Sequence, residues 1–377
     1  MEPTTTLLLS LFVVALAFGA GAQFSRLCLL GGLRDGFGQR NYGRLAVYLV
    51  AIAVALLGAA LVQSLAGVDF NNTKPPFRNP QFAWGRYIIG GFVFGVGMVL
   101  ARGCPLRHMV RLGQGHLPSL TILIVVALTT YVMTRTSVYA DWFLPWVGGM
   151  SIDLTRFGIA HQDLASLLGG GGNLNLVLSL IIGAGLLLFA VRYLRSLGGW
   201  LGAAMVGAMV AAAYYLTGGP LGKAALEASE LMDTPPEGLG TQSFSFAAPL
   251  GDVVHYLSLG GASVALTFGV VAVVGVLLGG LVSTLIRREF SFKGFGNLRE
   301  TSINLLGAIL LGVGSVLAMG CTVGHGFSGI ATLALGSIVA MLAIVAGSWV
   351  TIRQEAAWST PNTATDCGAN ADACTGR

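Results

Sequence analysis

The chain has 377 residues, 54% of them hydrophobic and only 10% charged, with a mean hydropathy of +0.77. Soluble domains carry about 25% charged residues, so the composition excludes a soluble globule and describes an integral membrane protein. The formal net charge of +5 is small and scattered over loops, and no basic run with interleaved aromatics marks a nucleic-acid face.

A helix needs about 20 apolar residues to cross the hydrocarbon. Nine stretches qualify, at about 6–22, 42–66, 85–101, 117–135, 174–191, 199–217, 259–286, 302–319 and 332–350. The first lacks a basic leader and reads as a span, not a cleaved signal. Between the first and second lies Gln23–Asp35, QFSRLCLLGGLRD. It is apolar enough to re-enter the membrane, too short to cross it, and fenced by glycines, with Cys28 in its middle. It has no visible second copy, which predicts an incomplete two-fold symmetry. The expected organisation is an N-terminal half (1–135), an outer connecting loop (136–173), a C-terminal half (174–350) and a disordered tail (351–377). The tail holds Cys367 and Cys374, which have no evident use.

Arginines and lysines set the orientation. Arg26, Arg34, Arg40 and Arg44 follow the first span, Arg192 and Arg195 the fifth, and Arg287, Arg288, Lys293 and Arg299 the seventh. All fall on one side, which is then cytoplasmic. The loop after the sixth span carries Glu227, Glu230, Asp233, Glu237 and Asp252 and faces outward. Lys74 and Arg78 are a minor exception. The expected N-terminus is outside and the C-terminus inside.

One segment is written twice. Gly90–His108 reads GGFVFGVGMVLARGCPLRH and Gly307–His325 reads GAILLGVGSVLAMGCTVGH. The copies share Gly90/Gly307, Gly95/Gly312, Gly97/Gly314, Gly103/Gly320, Cys104/Cys321 and His108/His325 among other pairs. One falls in the third span and one in the eighth, so the copies point in opposite directions through the membrane, as in many transporters. Their glycines read as close-packing positions. Gly103-Cys104-Pro105 breaks a helix, because the residue before proline avoids helical angles and proline suits the first position of the next helix. Gly320-Cys321-Thr322 predicts a second break. A half-helix starting inside the membrane aims unsatisfied N–H groups at its middle and attracts anions. Arg107 and Arg111 lie on one face of the first half-helix; Arg102 has Met319 opposite it and so no shared role.

The chain resembles the YeeE/YedE family of bacterial inner-membrane proteins, on the Gln23–Asp35 segment with Cys28, the GVGMVLARGC run ending at Cys104 and the GVGSVLAMGC run ending at Cys321. The resemblance implies an all-α polytopic fold: an hourglass of nine transmembrane helices in two inverted halves, with short re-entrant helices dipping in from both faces. It implies import of thiosulfate or a related sulfur anion, with Cys28, Cys104 and Cys321 lining the path and Gln23, Gly103, Pro105, Arg107, His108, Gly320, Thr322 and His325 supporting it. No enzyme activity, cofactor or metal is expected. Some members work with a small cytoplasmic sulfur-carrier protein, which is therefore an implied partner alongside membrane lipid. Pro-Leu-Arg after Cys104 resembles members that handle selenium compounds, so the species carried stays open.

In apolar surroundings cysteines are neutral thiols at neutral pH, able to hydrogen-bond a dianion without repelling it. Two other readings use the same residues. A sulfur-relay enzyme would pass sulfur through cysteine persulfide, but such chemistry favours a close pair such as CxxC, which is absent. A metal transporter would use Cys104/His108 and Cys321/His325 as ligands, but the spans have almost no carboxylates.

Overall fold

The computed structural model describes residues 2–359 apart from 231, 233, 234, 295 and 296. In chain order the helices are α1 (Pro3–Phe24), α2 (Leu29–Gln39), α3 (Gly43–Ala66), α4 (Trp84–Leu100), α5 (Pro105–Gly113), α6 (Leu117–Arg135), α7 (Leu144–Val147), α8 (Leu164–Leu167), α9 (Gly172–Tyr193), α10 (Leu197–Gly218), α11 (Pro220–Glu230), α12 (Ala247–Ser258), α13 (Phe268–Ile286), α14 (Leu298–Ala318) and α15 (Leu335–Ser359). Nine of these are long and apolar enough to cross a membrane, among the described residues: α1, α3, α4, α6, α9, α10, α13, α14 and α15. The only paired strands among the described residues are Gln81–Phe82 and Ile152–Asp153, joined antiparallel in the loops.

Two boundaries move. The seventh span starts at Phe268 instead of about 259. Gly260 and Gly261 take positive φ of 66° and 81°, and the Thr267 side chain caps the helix by accepting from the Val270 amide. The last helix continues past 350 to Ser359, where Glu355 meets Arg34 of α2 at 2.7 Å. The tail from 360, with Cys367 and Cys374, lies outside the described residues.

Lipid supplies no hydrophobic drive between helices, so close backbone approach through small residues holds them together. The repeated glycines do this where α4 crosses α14. A Cβ on Gly90 would lie 2.3 Å from the Ala318 nitrogen, one on Gly97 2.7 Å from that of Leu311, one on Gly307 2.4 Å from that of Ala101, and one on Gly314 2.4 Å from that of Phe94. Residue numbers rise along α4 as they fall along α14, so the copies run antiparallel and the repeat is inverted. The pairs α1–α13 and α10–α3 also pack closely, but each runs parallel. Here Gly19 meets the Val276 carbonyl, Gly279 that of Leu16 and Gly207 that of Ala51.

A side chain at the α4–α14 crossing has no room to relax. Gly314→Leu should cost several kcal/mol by overpacking and leave little monodisperse protein in detergent size-exclusion chromatography. Gly149→Ala, with open space around it, should elute like the parent; equal profiles for both variants would show that the crossing does not depend on contact between backbones.

Candidate functional site

Three helices break in the same way, and each break ends on a cysteine. Arg26, Arg102 and Met319 take left-handed φ of 52°, 60° and 63°, two residues before Cys28, Cys104 and Cys321. The amide after each reaches back five residues: Leu27 to the Ala22 carbonyl (3.0 Å), Gly103 to Met98 (3.0 Å) and Gly320 to Ser315 (2.9 Å). This closure ordinarily uses glycine at the left-handed position; a residue with a Cβ there costs roughly 1–2 kcal/mol. Arg102 and Met319 therefore do share a role, in the backbone and not in side-chain chemistry. Each chain then restarts as a helix: α2 after Cys28, α5 after Cys104 with Pro105 at its first position, and a turn from Thr322 that widens to a π-helix over Gly324–Gly329.

The thiols sit at these helix starts. Cys28 Sγ accepts from the Gly31 amide at 3.3 Å, and Cys321 Sγ from the Gly324 amide at 3.5 Å. A sulfur held as acceptor keeps its own proton free to donate. Cys104 makes no capping bond. Its thiol lies beside the Thr322 hydroxyl, with Cys28 and Cys321 nearby. Thr322 Oγ1 is buried and has no hydrogen-bond partner among the described residues, while its carbonyl accepts from Tyr48 Oη at 2.6 Å. Tyr48, on α3, is near both Cys104 and Cys321 and packs on Phe327 at 4.7 Å. A lone tyrosine within the apolar 43–66 stretch is the signal that sequence reading passed over.

His108 and His325 are staples. His325 Nδ1 meets Ser337 Oγ at 3.1 Å on α15, and its Nε2 meets the Ala318 carbonyl at 2.9 Å at the end of α14. His108 repeats the first bond to Ser119 on α6 at 3.2 Å. The His325 ring thus ties its half-helix both across the break and to the next crossing helix, whereas His108 ties its half-helix to α6 and its buried Nε2 has no hydrogen-bond partner among the described residues. Gly103 and Gly320 are glycines because these rings pass beside them: an added Cβ would lie 3.1 Å and 2.8 Å from the respective Nε2 atoms.

The arginines divide similarly. Arg111 Nη1 donates to the Arg102 carbonyl at 3.1 Å, closing the break before Cys104. Arg78, the exception to the charge pattern, is buried and donates twice to the Thr332 carbonyl, at 3.0 and 2.7 Å. It clamps the tip of the second hairpin, where the Leu164 amide also donates to Leu333 and the Leu335 amide to Gln162. The first hairpin's tip is held equivalently, by Ser291 and Lys293 amides donating to Gln114 and Gly115.

Two cavities approach this centre from opposite faces and share no lining residue. One, of about 690 Å³, is lined by Arg26, Arg34, Arg44, Arg102, Arg107 and Arg111 against Glu289 and Glu355, with half-buried Cys28 in its wall. Gln23 is buried behind it, its amide reaching Glu289 at 3.3 Å. The other, of about 240 Å³, is lined by Lys74, Arg135, Glu237, Asp252, Ser243 and Ser245 among others. Arg135 meets Glu237 at 2.9 Å and Asp252 at 3.5 Å, and its hydrogen bond holds the Glu237 carboxyl below the usual carboxylate range. The Arg135–Glu237 pair is therefore ionised at neutral pH and loses its charge at a lower pH than a free glutamate would. Cys104 and Cys321 are both buried and line neither cavity. Among the described residues no three His, Cys, Asp or Glu side chains gather into a metal-holding group, and both nitrogens of His325 are already engaged.

Nine helices long and apolar enough to cross a membrane among the described residues, in an inverted repeat broken at helix starts of the kind that attract anions, define a polytopic membrane protein of transporter architecture. The chain belongs to the Sulphur transport family, whose profile it matches over residues 24–350. It is 27% identical over 350 residues to the thiosulfate transporter TsuA of Spirochaeta thermophila, covering 89% of this chain and 96% of that protein. It is 26% identical over 357 residues to TsuA of Escherichia coli, covering 91% and 93%.

Truncating a staple should differ from removing an unpaired hydroxyl. His325→Ala leaves Ser337 and the Ala318 carbonyl unpaired and should cost about 2–4 kcal/mol. Thr322→Val removes a buried group with no partner and should leave the melting temperature in detergent unchanged or higher. A large loss in the valine variant would mean that this hydroxyl holds the fold.

Proposed function

We propose that the protein imports thiosulfate, or a closely related sulfur anion, across a bacterial inner membrane along Ser245-side cavity, Cys321, Cys104 and Cys28. The carrying observation is the placement of Cys104 and Cys321 at two opposed helix starts, between cavities that open to opposite faces. The names of the two relatives support thiosulfate as the species. The arginine-lined face is taken as cytoplasmic by the positive-inside rule, which puts the N-terminus outside and the C-terminus inside.

The physics of the route is a series of weak sites. The helix starts offset part of the dianion's desolvation. Neutral S–H groups donate without adding charge, so no single station binds tightly enough to trap the ion. Thr322 Oγ1 and the Cys104 thiol offer two buried donors side by side. The six arginines around the inner cavity lower the energy of an arriving anion and oppose its return. A small cytoplasmic sulfur-carrier protein receiving the ion at this face fits the same reading.

Labelled thiosulfate uptake into cells lacking other sulfur importers tests it. Cys104→Ala and Cys321→Ala should each reduce the initial rate by about ten-fold or more, since each removes one charge-assisted bond of about 1.5–3 kcal/mol. Full rates in both variants, at parental expression, would remove the thiol route.

A further inference from the structure

We propose that Ser245 is a fourth substrate-contacting residue, the counterpart of Cys28 in the second half, and that its hydroxyl passes the anion from the Lys74–Arg135 cavity to Cys321. The inference deepens the thiol-route reading above and rests on it. The two-fold symmetry is then complete, contrary to the expectation from sequence that Gln23–Asp35 has no second copy.

Topology carries the correspondence first. Cys28 precedes the short helix α2, which packs on α3 and α15; Ser245 stands at the start of the short helix α12, which packs on α13 and α6. These are the equivalent neighbours under the inversion that matches α4 with α14. Ser245 lies 76 residues before Cys321, the interval that separates Cys28 from Cys104. At that register Leu33 meets Leu250 and Asp35 meets Asp252. Both aspartates tie their short helix to a crossing helix: Asp35 to Arg44 at 3.3 Å and Asp252 to Arg135 at 3.5 Å.

The geometry of Ser245 supplies the second argument. Phe244 and Phe246, on either side of it, are fully buried and pack on Phe18 at 4.5 and 5.6 Å. With its neighbours anchored inward, Ser245 is left lining the outer cavity. Its Oγ stands 3.9 Å from Cys321 Sγ, a long and weak contact that an arriving oxyanion would replace with a stronger one. Gly324 keeps this approach open, since an added Cβ there would lie 2.9 Å from Ser245 Oγ. Further along, the buried Thr322 hydroxyl, beside the Cys104 thiol, continues the line of donors.

The exchange of sulfur for oxygen has a chemical consequence. A hydroxyl donates a stronger hydrogen bond to an oxyanion than a thiol does, and it forms neither disulfides nor persulfides. The first contact on the outer side thus recognises the anion without covalent capture. The thiol equivalent, Cys28, stands at the opposite, arginine-lined cavity, taken as cytoplasmic, where the compartment keeps a thiol reduced.

Initial-rate kinetics and site-directed labelling test this together. Ser245→Ala should raise KM for thiosulfate roughly ten-fold while changing the maximal rate less. Ser245→Cys should keep KM within a few-fold of the parent. An anionic, membrane-impermeant methanethiosulfonate added outside should modify position 245 in that variant, as read by peptide mass spectrometry, and thiosulfate should slow the modification. A parental KM in Ser245→Ala, or modification of the cysteine variant that is absent or unaffected by thiosulfate, would overturn the proposal; the cysteine variant decides should the alanine variant fail to accumulate. Parental transport by Cys104→Ala and Cys321→Ala beside a raised KM in Ser245→Ala would sink the thiol route and leave the hydroxyl contact standing.

Discussion

Helix ends inside a membrane set the terms for this structure. Every backbone N–H and C=O in hydrocarbon needs a partner, so a break at membrane depth survives only under protein cover or beside a polar cavity. Three breaks among the described residues share one geometry. In each, a left-handed residue closes the old helix and a cysteine opens the next, extended at Cys28 and Cys104. The closure satisfies the last carbonyls, and the first amides of the new helix remain as the charge-bearing end. Left-handed arginine and methionine in place of glycine are strained, and such strain clusters where function requires a fixed turn.

The remainder of the fold serves that arrangement. The α4–α14 crossing brings two broken helices together through backbone contact at Gly90, Gly97, Gly307 and Gly314. The histidine staples hold each half-helix to its neighbours. Loops from the opposite half seal both hairpin tips, with the buried Arg78 as one clamp. The ion pairs Arg34–Glu355 and Arg135–Asp252 join each short helix to a crossing helix at the two mouths. Half-exposed pairs of this kind contribute at most about 1 kcal/mol, so they fix position more than they add stability.

Much of this was legible in the sequence. Nine spans follow from apolar length, the breaks from Gly-Cys-Pro and its copy, and the inversion from span count and charge. What escaped has identifiable physical reasons. Ser245 was invisible because the second copy of the Cys28 segment keeps topology and almost no identity: Gly31-Gly32 becomes Ala248-Pro249, and the thiol becomes a hydroxyl. Arg78 looked like a charge-rule exception because sequence cannot show a guanidinium folded onto a carbonyl. His108 and His325 read as supports of the path, or as metal ligands, but their partners Ser119 and Ser337, 11 and 12 residues on, show only in the structure. Tyr48 carried no motif at all, only its polarity among apolar neighbours.

The central claim is that the anion passes between the two opposed helix starts. Crystals grown with thiosulfate and measured for anomalous scattering from sulfur would locate it directly. The account predicts anomalous peaks not belonging to protein sulfur on the line from Ser245 past Cys321 and Cys104 to Cys28. Bound thiosulfate confined to the periphery, with that line empty at saturating concentration and the protein competent for transport, would contradict it.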